Sequence, residues 1–225
     1  ADTMTGGVIF QSGRFFASLD YYNIKVKGVI RIPDANLFIA SCFNYIGDAN
    51  PTLSASNDYC GSIVRSGGNI SFLLAPPSLG GDSTSNFIAV NQGSLKTSGL
   101  DLQLDYALPT EFVGAESELR FNLLLNYLLE FKEEELPGVV IDYAGTAGYF
   151  GQGLSAGGGA SHPDWRGTLN LAWKIGPTTI NSRIRYIDEM KNRQCVQFVG
   201  ESTTGPGSVT YVDLGTQWDI AKQFT

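Results

Sequence analysis

The sequence predicts an all-β protein, an up-and-down antiparallel sheet of the kind that closes into a transmembrane β-barrel with short turns at one end and long loops at the other. Three observations predict it: six runs in which apolar and polar residues alternate, connections that alternate between long and short, and aromatic residues that recur near the ends of the runs. A period of two gives a strand one apolar and one polar face, and therefore two different surroundings.

The first run sets Phe15, Ala17, Leu19 and Tyr21 against Ser18 and Asp20, and its pattern blurs after Tyr22. The second interleaves Leu100, Leu102, Leu104 and Tyr106 with Asp101, Gln103 and Asp105. In the third, Leu119, Phe121, Leu123, Leu125, Tyr127, Leu129 and Phe131 form the apolar face, opposite Glu118, Arg120, Asn122, Leu124, Asn126, Leu128 and Glu130. That strand spans about 14 residues, well above the usual 5 or 6. The fourth and fifth flank Gly176-Pro177, a tight-turn pair: Trp165, Leu169, Leu171 and Trp173 alternate with Arg166, Thr168 and Asn170, then Ile180, Ile184 and Tyr186 with Asn181, Arg183 and Arg185. The sixth runs over Val209–Trp218, with Val212, Leu214 and Trp218 opposite Asp213 and Gln217. No segment has a helical period of any length beyond a short turn over residues 34–43.

The connections are long over 27–87, short over 107–117, long over 133–163, short at Gly176-Pro177 and long over 188–208. In an up-and-down sheet this sorting gathers every long loop at one end, which a soluble sandwich has no reason to do. Trp165 and Trp173 lie eight residues apart on one face, which on a tilted strand separates them by roughly 20 Å along a barrel axis, close to the spacing of two aromatic girdles. Six strands are too few to close in lipid, where an unpaired edge costs several kcal/mol per polar group, so the reading is a portion of a larger barrel.

Composition narrows the function. The formal charge is −7, with only 16% charged residues, which argues against a nucleic-acid-coating surface. One His and three Cys with no CxxC or HExxH spacing give poor material for a zinc site, and no cofactor is called for. Uncharged stretches such as 38–46 fall short of the roughly 18 apolar residues of a membrane-spanning helix. Gly153-Leu-Ser155-Ala-Gly157 with His162 matches a nucleophile elbow, but it lacks the strand before and the helix after that hold such a serine at a strained turn, and no carboxylate separates Ser155 from His162. An enzyme is not expected.

The stretch Gly93-Ser-Leu95-Lys-Thr97-Ser-Gly99-Leu-Asp101-Leu-Gln103-Leu-Asp105-Tyr106 resembles the barrel motif of the TonB-dependent outer-membrane receptors. Leu19-Asp20-Tyr21-Tyr22-Asn23-Ile24, Tyr59-Cys60 with Ile63 and Arg65, Pro163-Asp164-Trp165-Arg166, Arg185-Tyr186-Ile187 with Met190, and Tyr211-Val-Asp213-Leu214 support it in the expected order. The resemblance implies a 22-stranded barrel in the bacterial outer membrane, filled by an N-terminal plug domain and importing scarce ligands with energy relayed by TonB. On this reading residues 1–225 are a single segment of the barrel domain, with the plug, the TonB-binding segment and the last strands lying outside it. The resemblance also supports a disulfide between Cys42 and Cys60, which would stabilise the first long loop by about 3 kcal/mol in the chain-entropy model. Cys195, in another outer loop, is then odd, and is expected to be either a free thiol or bridged to a cysteine outside these residues.

Candidate ligand-binding residues come from the polar faces and the long loops. Arg120, Arg183 and Arg185 suit an anionic ligand such as a ferric siderophore or an acidic sugar. Asp101 and Gln103 lie on the same inward face, where the commoner role of such residues is to bond the plug or neighbouring strands. Tyr143 and Tyr149, with Phe150, are loop aromatics able to stack on a sugar or planar ligand. The expected function is uptake of a scarce ligand across the outer membrane, with outer-membrane lipid, the plug and TonB as partners. A soluble β-rich binding or adhesion module and a passive porin are the rival readings.

Overall fold

In the computed structural model the described residues are 1–31, 35–45, 49–61, 63–66, 69–72, 90–91, 93–110, 117–136, 138–148, 161–193, 195 and 203–219. Eight strands form one antiparallel sheet: β1 (Asp2–Ser12), β2 (Phe15–Lys27), β3 (Ser94–Pro109), β4 (Ser117–Leu136), β5 (Val139–Asp142), β6 (Trp165–Ile175), β7 (Thr178–Ile187) and β8 (Val209–Trp218). Their order is β1-β2-β3-β4-β6-β7-β8, and β5 pairs with the far end of β4. The Gly13-Arg14 and Gly176-Pro177 turns have glycine in the left-handed region, at φ 56° in both, which a two-residue hairpin turn favours. Thr110 N donates to Ser117 O at 3.0 Å to close the third tight connection. Along the order β1-β2-β3-β4-β6-β7-β8, with β5 counted within the connection from β4 to β6, short and long connections therefore alternate, and all the long ones emerge at one end.

The expectation that these strands are part of a larger closed transmembrane barrel is overturned. Among the described residues no sheet closes on itself: β1 and β8 are the two ends of the pairing path and do not pair with each other. Every residue of both strands is exposed. Closure requires each edge to find a partner, and the eight strands leave two edges open, so the fold is an open all-β meander. No described helix is long and apolar enough to cross a membrane, which does not bear on strands.

The predicted strands take their places with register locked across the sheet. One face carries rows such as Phe10, Ala17, Leu104, Leu123, Leu169, Ile184 and Val212, each residue opposite the next. Trp165 stacks on Tyr127 at 4.4 Å near the long-loop end, and Trp173 Nε1 donates to Thr110 Oγ1 at 3.1 Å near the short-turn end. Since nothing among the described residues covers this face, even its central residues are only half-buried.

A bulge sets the upper limit of the apolar face. Gly99 pairs with Leu128 but Ser98 pairs with Glu130, so Leu129 is the extra residue and β4 reverses its faces beyond it. Glu130, expected on the polar face, therefore joins Ser98, Lys96 and Lys132 at the end of the apolar stripe. Ser98 Oγ donates to it at 2.9 Å, and the ammonium groups of Lys96 and Lys132 lie at 2.6 and 2.7 Å. Phe131 passes to the other side, where its ring stacks on His162 at 3.8 Å. Gly99 has no room for a side chain, because a Cβ there would collide with the Tyr22 hydroxyl and lie 2.6 Å from the Tyr127 carbonyl oxygen.

The buried core lies at the long-loop end. Ala40 of α1 (Ala35–Cys42) packs with Leu136, Val139, Ile141 and Tyr143, and Ala49, Tyr59 and Phe131 flank them. Cys42 and Cys60 are disulfide-bonded, with Cα atoms 4.7 Å apart. Inside that loop the buried Asn50 donates to Cys42 O at 2.7 Å and Ser54 O at 3.1 Å and accepts from Ser54 N at 2.9 Å. Two-residue strands at Thr146–Ala147, Ser161–His162 and Lys191–Asn192 tie the later loops together. Arg193 bonds Glu133 at 3.0 Å and lies 3.6 Å above the ring of Tyr143. Burial, with help from the Arg193 charge, holds the His162 imidazole below its usual pKa.

Two measurements test this arrangement. Gly99→Val forces the bulge apart and lowers unfolding free energy by about 1–3 kcal/mol, measured by chemical denaturation. Hydrogen bonds from Lys132 and Lys96 hold Glu130 at about 2, below its ordinary 4.5. A depressed carboxylate stabilises the fold above its unfolded pKa and stops doing so as the pH falls through the folded one. Stability measured from pH 5 to pH 2 therefore falls less steeply in Glu130→Gln than in the native chain.

Candidate functional site

The polar face of the sheet is built by the same register. One row crosses it as Asp20, Asp101, Asn126 and Arg166, the next as Ser18, Gln103, Leu124, Thr168, Arg185 and Tyr211, and a third as Asp105, Asn122, Asn170, Arg183 and Asp213. Strands about 4.8 Å apart bring side chains of one row within hydrogen-bond reach.

Two ladders result. In the third row Arg183 Nε donates to Asn170 Oδ1 at 3.0 Å, Asn170 Nδ2 to Asn122 Oδ1 at 3.0 Å, and Asn122 Nδ2 to Asp105 Oδ1 at 2.7 Å; Gln103 Nε2 donates to the other Asp105 oxygen at 2.6 Å. In the first row Arg166 Nε donates to Asn126 Oδ1 at 3.0 Å, and Asn126 Nδ2 to Asp101 Oδ1 at 2.7 Å. Each ladder begins at an arginine, passes through amides that both donate and accept, and ends at an aspartate. Every amide points one way only, since a reversed Asn would place two donors or two acceptors together. The ladders engage Nε of Arg166 and Arg183, and no hydrogen bond among the described residues takes their terminal nitrogens.

The sequence-derived candidates occupy different settings. Asp101, Gln103 and Arg183 are ladder members. Arg185 lies 5.2 Å above the Tyr211 ring and donates to Asp213 at 3.2 Å. Arg120 is paired through Nε with Glu118 near the short-turn end. Tyr143 is fully enclosed in the loop core. Tyr149 and Phe150, together with the Gly153–Gly157 motif, lie outside the described residues.

An open hollow of about 520 Å³ lies on this face, within the range of small-ligand sites. Asp20 and Asp101 stand on one side, Arg166 and Arg185 on the other, with Leu124 between them and Tyr211 beyond. Arg166, Asp20 and Tyr211 were not among the site residues that sequence reasoning selected. Their strand periodicity was visible, but their meeting depends on which residues pair between β4 and β6 and between β7 and β8. Near the long loops, Asp164 is held above the usual carboxylate range, first by burial and then by the charge of Asp188. Among the described residues no group of three or more His, Cys, Asp or Glu is placed to hold a metal ion.

The ladder has a measurable consequence. Asn122→Ala removes one donated and one accepted bond and costs about 1–3 kcal/mol. A double-mutant cycle with Arg183→Ala, two strands away, shows a coupling of about 0.5 kcal/mol or more, whereas independent residues at that distance would be additive.

No curated protein and no solved structure matches the chain. A family model described as TonB dependent receptor-like, beta-barrel matches residues 1–225. That is a receptor family and not a catalytic one, and it associates the protein in general terms with the outer membrane. With the match covering every residue, the chain belongs to the TonB-dependent receptor-like β-barrel family.

Proposed function

We propose that the polar face is a ligand-binding surface, and that the receptor to which it belongs takes up a scarce anionic ligand, such as a ferric siderophore or an acidic oligosaccharide, across the outer membrane. The observation that carries the reading is the pair of ladders that orient Arg166 and Arg183 through Nε and leave their paired terminal nitrogens, the fork that suits a carboxylate, without a hydrogen-bond partner among the described residues. Arg185 adds a third cation on the same face. Family membership supports uptake as the parent function and supports the plug domain, TonB and outer-membrane lipid as its partners.

A second reading is favoured by the open sheet: a β-rich binding or adhesion module that holds its ligand on the same face without transporting it. The two share the arginine site and differ in the fate of the bound ligand. Ferric citrate serves as an anionic probe. Replacing both Arg166 and Arg183 by Gln weakens its binding at least tenfold, measured by intrinsic tryptophan fluorescence, and unchanged binding would sink both readings. In cells carrying the receptor, accumulation of radiolabelled iron that stops on adding a protonophore identifies uptake. Binding without accumulation identifies the module.

A further inference from the structure

We infer that the hollow on the polar face takes a zwitterionic ligand, a short peptide with free amino and carboxyl termini. The inference rests on the proposal that this face binds an anionic group through its arginines, and it narrows the substrate class to ligands that carry an ammonium group besides the carboxylate.

The charges in the hollow are sorted. Asp20 and Asp101 are directly opposite each other on β2 and β3, an arrangement of like charges that is unfavourable in an empty sheet. Asp101 gives one oxygen to Asn126, and Asp20 has no hydrogen-bond or ion-pair partner among the described residues. The Asp20 carboxylate lies over Gly7 of β1, where a Cβ would collide with Oδ1. Among the described residues no Lys or Arg neutralises this wall. Across the hollow Arg166 and Arg185 form a basic wall, of which Arg185 is shared with Asp213 at the far side.

Asn126 keeps the walls apart. Its amide nitrogen donates to Asp101, with a longer bond to the Tyr22 hydroxyl at 3.4 Å, and its oxygen accepts from Arg166, so the two charged residues stand on strands two steps apart, about 10 Å between backbones at ordinary strand spacing. A structural ion pair would bring them into contact. Separated charges of opposite sign suit a ligand that carries the complementary pair at the same separation. One amino acid is too short, while an extended chain at about 3.3–3.6 Å per residue reaches this span with three. Between the walls the face is apolar at Leu124, which is 44% exposed, and the Tyr211 ring beyond it is 49% exposed, so both can meet the side chains of such a peptide. A simple anion engages the arginines alone and a neutral sugar neither wall, whereas a ligand with both charges uses both walls.

The test is calorimetric titration of the full chain with trialanine, N-acetyl-trialanine and trialanine amide. Trialanine binds at least tenfold tighter than either blocked form. In Asp101→Asn the penalty for acetylation shrinks while that for amidation remains; in Arg166→Gln the pattern reverses. Because the blocks are placed on the ligand, the first comparison needs no variant to fold. Absence of trialanine binding, or equal binding of all three peptides, overturns the inference. If ferric citrate still binds through the arginines in that case, the ligand-binding face stands and only its zwitterionic character falls; if neither probe binds, both are wrong.

Discussion

Everything in this protein depends on strand register. With almost no buried core in the sheet, the backbone ladders and the side chains aligned across them hold the strands. A slip of one residue between any two neighbours would turn leucines onto the face that now carries Asp101, Asn122 and Arg183, and would break each amide chain at once. The tight connections fix that register at one end. Gly13 and Gly176 adopt the backbone conformation such turns demand, and the Thr110–Ser117 bonds clamp the third.

The polar face and the apolar face are consequences of one alignment, yet they are stabilised in different ways. On the apolar face the rows gain by removing hydrocarbon from water, in proportion to area and without direction. On the polar face each bond is directional, and the Asn residues relay polarity from arginine to aspartate over three strands in one ladder and four in the other. Such chains are sensitive to the loss of any single member. They also hold cationic and anionic groups at fixed positions without letting them collapse into ion pairs, which makes the face a suitable place to receive a charged ligand.

The six alternating runs were readable because a period of two survives in any sequence with one wet and one dry face. The pattern failed in physically specific places. Strand β1 was missed because Gly6 and Gly7 interrupt the alternation of Met4, Val8 and Phe10, and a glycine carries no face. The bulge at Leu129 was missed because an extra residue changes pairing without changing composition, so Phe131 and Glu130 were each assigned to the wrong side. The short helical turn expected over residues 34–43 is α1. Closure was the inference that did not hold: alternation says which solvent each face meets but not whether the two outer strands find each other. For the site, the face of Arg183, Arg185, Asp101 and Gln103 followed from local periodicity, whereas the meeting of Asp20, Arg166 and Tyr211 required the pairing itself.

The two outermost strands carry a further consequence. Soluble sheets protect such edges with lysines, prolines or inward-facing charges. Strand β1 has one aspartate and β8 has one aspartate, and neither has a lysine, arginine or proline. Both also expose large apolar residues, among them Phe10, Val8, Leu214 and Trp218. A strand with free backbone groups and an apolar flank is a template for another strand, so in water the isolated chain is prone to add copies of itself edge to edge. Its handling in the laboratory is therefore governed by concentration and by whatever caps those two strands, more than by the stability of the sheet they enclose.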